Sequence, residues 1–156
     1  MLRKLIATDN DVTLLIVRVV LGSVMLAHGL QKTFGWFGGF GWTNTINYFT
    51  GTVGLPSILA AIIILIESVG ATLLIAGVGA RINALLLVIV IVGAFFVAHL
   101  PNGFYMNWFG NHKGEGFEFD ILFWAIGILI VVKGAGRWSV DKWLERRMAA
   151  EISGRK

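Results

Sequence analysis

Glu67 is the one charged residue between Thr33 and Ala80. A carboxyl group in so apolar a stretch needs a counter-ion, a water path or a proton. Upstream, Arg18, Met25, His28 and Lys32 fall within a stripe of ~80° when projected at about 100° per residue, so these polar groups share one helix face that should point toward protein. With a rise of about 1.5 Å per residue, Arg18 and Glu67 come within roughly 5 Å of one level in a ~30 Å hydrocarbon core, a gap that an arginine side chain can span. Three readings of the pair are open: a buried salt bridge that fixes helix register, an Arg18 that snorkels to the interface, or a proton path through Glu67 and Arg18.

A second set of polar groups collects at the opposite ends of the same elements. His28 and Lys32 close the first apolar run, His99 closes the third, and Asn102, Asn107, His112, Lys113, Glu115, Glu118 and Asp120 follow. Again three chemistries are open. The groups can form a hydrogen-bonded network that closes the top of a bundle. They can line a pocket for a quinone-like ring, with His28, Lys32 and His99 donating to carbonyl oxygens and Trp108 among the aromatics stacking on the ring. His28 and His99 can also ligate haem, or join Glu115 or Glu118 at a metal, although no tight histidine spacing supports a metal site.

The elements that must position these residues are apolar. Hydrophobic residues make up 56% of the 156 and charged ones 14%, against about 25% charged in soluble domains, and the mean hydropathy is +0.79. Four runs approach the ~20 residues needed to cross a bilayer: about 12–31, 56–78, 82–100 and a shorter one at 117–132, where Asp120 and Lys133 bracket the uncharged stretch. With the N-terminus cytoplasmic, Arg3, Lys4, Arg81, Lys133, Arg137, Lys142, Arg146, Arg147, Arg155 and Lys156 all lie inside. Only Lys32 and Lys113 lie outside, as the positive-inside rule requires. Asp9, Asp11 and Arg18 fit a secretory signal's charge pattern badly.

The joints favour one compact unit. Gly77-Val-Gly-Ala-Arg81 is long enough only for an antiparallel helical hairpin. Residues 34–42 and 101–119 interleave glycine with aromatics, which suits an interfacial belt or a lid over a cavity. Over about 139–150, Val140, Leu144 and Met148 recur at helical spacing with Trp143 beside them and Lys142, Arg146 and Arg147 elsewhere on the wheel, and Ser139 is placed to cap. The expected architecture is therefore all-α: a single four-span antiparallel bundle over residues 1–156, both termini cytoplasmic, with a short amphipathic interfacial tail helix.

Composition also excludes classes of function. The absence of cysteine removes disulfides, thiolate metal sites, iron–sulfur ligation and CxxC redox chemistry. A net charge of +4 could suggest nucleic acid, but the basic residues collect at the ends of apolar runs, where lipid headgroups are the natural counterpart.

These residues carry a resemblance to the DoxX family of small four-span bacterial membrane proteins. It rests on Arg18, His28-Gly29-Leu-Gln-Lys32, Glu67 followed by Gly70-Ala71 and LLIAG, Arg81, and GAGRWSVD at Gly134–Asp141. The resemblance implies a multi-pass protein of the bacterial cytoplasmic membrane, with some members associated with quinone-linked sulfur oxidation or oxidative-stress complexes. The resulting expectation is an integral membrane subunit of a quinone-linked oxidoreductase assembly. Its ligand would lie at the outer face against His28, Lys32, His99 and Trp108, with Glu67 and Arg18 conducting the coupled proton, and electrons would come from a redox partner or directly from a substrate. Quinone is favoured over haem, and no metal is assigned. The rival expectation is a non-catalytic scaffold that docks another membrane complex.

Overall fold

The computed structural model describes residues 5–153, without the side chains of residues 152 and 153. Arg3, Lys4, Arg155 and Lys156, which entered the charge argument, lie outside the described residues. The described chain is all helical, with no strand: α1 (Val12–Phe34), α2 (Gly41–Gly51), α3 (Ser57–Ala76), α4 (Ala80–Asn102), α5 (Glu118–Lys133) and α6 (Val140–Ser153).

Local chemistry sets the boundaries. The Asp11 carboxylate accepts from the Thr13 amide at 2.8 Å and starts α1, and Gly35, in the left-handed region at φ 74°, ends it. The helix after Pro56 runs to Gly77, again left-handed at φ 70°, and α4 begins three residues later. Of these helices, α1, α3 and α4 are long and apolar enough to cross a membrane. The expected run 117–132 is helical as α5, which has 16 residues. A helix the expectation did not include, α2, occupies the first long connection.

Packing is small inside and apolar outside. α1 lies against α3 and α5, and α4 lies against the same two helices. Leu21, Met25, Leu74, Ala84, Leu87 and Ile130 form the core, while Val12, Ile16, Val20 and Val24 make an exposed apolar row at every fourth residue of α1. Exposed branched and aromatic residues likewise cover the outer faces of α3, α4 and α5. Apolar surface on this scale is unstable in water and suits lipid.

The polar residues divide between the two ends of the helices. At one end Arg18, 1% exposed, donates to the carbonyls of Ile75 and Trp138, the latter at 3.1 Å. Its guanidinium thus satisfies the open C-terminus of α3 and ties it to the segment before α6. Arg81 does the same for α5, donating to Val131 and Val132, and to Ala7 at 2.8 Å. Asp141 accepts from the Gly79 and Ala80 amides at 2.8 and 2.9 Å, capping α4. Ser139 accepts from the Lys142 amide at 3.2 Å and caps α6 as expected. Arg18, Arg81 and the Gly134–Asp141 segment therefore join helix ends.

Candidate functional site

At the other end, α1 and α3 cross at Gly29. A Cβ there would collide with the backbone of Glu67 and Ser68, so glycine is what allows the two backbones to touch. One turn beyond the crossing, Lys32 reaches back and forms an ion pair with Glu67. Glu67 is 4% exposed and lies within a π-helical turn, Ile66–Gly70. Such widened turns displace the register of side chains and recur at functional positions.

The pair forms the polar end of a cavity of about 530 Å³, within the range of small-molecule sites. Leu59, Ile62, Ile63 and Ile66 of α3 form one wall. Ile89, Val90, Gly93, Ala94, Val97 and Ala98 form the facing wall on α4, at the spacing of a single helix face. Tyr48 and Phe49 of α2, with Val53 and Leu55 beyond it, complete the lining. Among the described residues, Lys32 and Glu67 are its only ionisable side chains apart from the Tyr48 phenol.

A second polar pair lies across the α4–α5 contact. His99, in the π-helical turn Phe95–His99, bonds through Nδ1 to the buried Asp120 carboxylate at 2.7 Å. His28 is exposed on α1, one turn before Lys32. The structure thus gathers His28, Lys32, Glu67 and His99 at one end.

Two expectations are corrected. Arg18 does not meet Glu67. Its guanidinium is committed to the carbonyls at the far end of α3, and Lys32 takes its place. The level estimate failed because the helices are staggered: Gly22 packs against Ala71 and Ile75, which sets Arg18 beside the C-terminus of α3 and leaves about 21 Å of helix rise between Arg18 and Lys32. Of the four residues expected to line a ligand pocket, Lys32 lines the cavity and His28, His99 and Trp108 do not. The 103–117 connection folds on itself, with the Phe117 and Glu118 amides bonded to Gly103 and Phe104 at 3.2 and 2.9 Å. Trp108 Nε1 donates to Glu118 at 3.1 Å, and its ring borders a separate surface hollow of about 260 Å³ with Tyr105 and His112. Sequence reasoning missed Gly93 and Tyr48, and the only signal for Gly93 was a glycine in the middle of the most apolar run.

Among the described residues no group of three or more His, Cys, Asp or Glu is placed to hold a metal ion. The family model for DoxX matches residues 13–100. Over 134 residues, 86% of this chain and 88% of the other, the sequence is 31% identical to a Bacillus subtilis (strain 168) protein that bears the name "Putative oxidoreductase CatD". No solved structure matches the chain.

Proposed function

The chain belongs to the DoxX family, and we propose that it is an integral membrane subunit of a redox assembly that binds a quinone in the cavity beside Lys32. The observation that carries this reading is the cavity itself: apolar walls suited to a lipid-soluble ring, and one buried ion pair to recognise oxygen. The Lys32 ammonium is the donor for a ring carbonyl, and Glu67, held beside it, is the group able to accept or release a proton. The oxidoreductase name of the Bacillus relative supports the redox setting. A partner subunit or a substrate supplies the electrons.

In this reading the whole chain is one four-span domain of the bacterial cytoplasmic membrane, with α5 as the fourth span. Its 16 residues rise about 24 Å, so Glu118 and Asp120 sit at the outer headgroup level. Both termini face the cytoplasm, and α6 lies on the inner leaflet. The Arg137 guanidinium stacks on Trp138 at 5.0 Å and that of Arg147 on Trp143 at 4.2 Å; amphipathic pairs of this kind favour a headgroup layer.

A scaffold role is the second reading, favoured by the aromatics of the outer connections. Phe37 and Phe109 are 69% and 88% exposed, which suits contact with another membrane protein. Binding of a short-chain quinone to the protein in nanodiscs separates the two. The quinone reading expects Lys32→Met to weaken binding about tenfold to a hundredfold, the value of one hydrogen bond to a charged group. A wild-type protein that binds no quinone at all leaves the scaffold.

A further inference from the structure

Gly93 stands apart from the other glycines of the long helices. A Cβ at Gly22 would strike Ile75, one at Gly29 the Glu67 backbone, one at Gly127 the Val88 side chain, and one at Gly70 would press on Asn83 at 3.3 Å. Each of those glycines permits a close approach. At Gly93 a Cβ would meet nothing within 4 Å, and its φ is not positive. Neither packing nor backbone conformation explains it, although glycine inside a helix is destabilising relative to alanine.

What Gly93 does is widen the cavity. It lies on the α4 wall between Ile89 and Val97, facing the α3 wall that carries Glu67. We propose that Gly93 sets the size of the quinone ring admitted between α3 and α4, making it a specificity-determining residue of the site. The proposal rests on the quinone reading above. A flat ring edge entering from lipid between these two helices passes Gly93 and Ala94 before its oxygen reaches Lys32. A larger side chain at Gly93 narrows this slot and leaves the Lys32–Glu67 pair untouched.

A second copy of the chain is the other occupant such a face suggests, since Ala94 and Ala98 are small residues one turn apart. The charged pair at the end of the cavity argues against it: a packed apolar helix would cover the Lys32 ammonium and offer nothing to the N–H groups that Glu67 leaves unpaired.

The test uses full-length protein in nanodiscs, with Gly93→Ala, Gly93→Leu and Gly93→Phe, and two probes: a short-chain benzoquinone and the bulkier short-chain naphthoquinone. Thermal unfolding is followed alongside, and Gly93→Ala should raise the midpoint. Filling the slot by a few methylenes should weaken naphthoquinone binding about tenfold or more in Gly93→Leu, with a smaller loss for benzoquinone, and Gly93→Phe should lose both. Wild type and Gly93→Phe binding both quinones equally would overturn the role of Gly93 and leave the quinone reading intact. If the wild type binds neither quinone, the functional reading falls and the proposal with it. A shift from dimer to monomer in Gly93→Leu, without change in quinone affinity, would assign the face to a second copy.

Discussion

Lys32 and Glu67 meet because Gly29 lets two helix backbones touch. The His28-Gly29-x-x-Lys32 pattern places the glycine at the crossing and the lysine one turn further along the same face, where Glu67 emerges from its π-helical turn. The motif is thus a contact device and a polar group in one.

Replacing Gly29 by alanine tests the contact. The added Cβ has only backbone to push against, so α1 and α3 must separate. A cost of about 1–3 kcal/mol is expected, as for other overpacked contacts. Thermal unfolding in detergent should show the loss, and the ion pair should lengthen with it. An unchanged midpoint would mean that the crossing is looser than described.

The charge of Glu67 depends on its partner. Removing the ammonium by Lys32→Met leaves a buried carboxylate without compensation, a change worth about 3 kcal/mol or more in buried pairs. The double variant Lys32→Met with Glu67→Leu should recover much of that loss, since two apolar groups need no compensation. Infrared spectroscopy supplies an independent reading: a protonated-carboxyl band absent from the wild type should appear in Lys32→Met and vanish on adding Glu67→Gln. If no such band appears, another group compensates Glu67.

Arg18 should behave differently from Lys32. Its guanidinium donates from one nitrogen to the end of α3 and from another to Trp138, so Arg18→Leu should destabilise by about 3 kcal/mol or more. Arg18→Lys should fail to rescue, because a single ammonium cannot reproduce the planar fork. Quinone affinity of the folded fraction should stay at the wild-type value. A selective loss of binding in folded Arg18→Leu would return Arg18 to the ligand site.

The long apolar helices were legible in the sequence, whereas α2 and the pairing of the helices were not. Apolar runs mark α1, α3 and α4, which are long and apolar enough to cross a membrane, and a shorter run marks α5; Ser139 was readable as a cap because capping is local. The choice between Arg18 and Lys32 as partner of Glu67 depends on axial stagger, which Gly22 and Gly29 set against α3 through backbone contact. No periodicity encodes that offset. Trp108 went astray for a related reason: residues 103–117 fold back on themselves through backbone bonds and through Asn107, Glu115 and Glu118 side chains, and no spacing in the sequence says which of these polar groups pair.

The His99–Asp120 pair distinguishes closure of the bundle from proton handling. It joins α4 to α5 at the end where Lys32 meets Glu67, with His99 a quarter exposed and Asp120 buried. His99→Leu strands the Asp120 carboxylate, so a loss of about 1–3 kcal/mol is expected on either account. His99→Gln separates them. Its amide can donate to Asp120 and hold the helices together, but it cannot take up a proton. If the pair only closes the bundle, His99→Gln restores both the unfolding midpoint and quinone-linked turnover in the assembled complex. If His99 relays protons from the outer face toward Glu67, His99→Gln restores the midpoint alone, and turnover stays depressed with a solvent isotope effect altered from wild type.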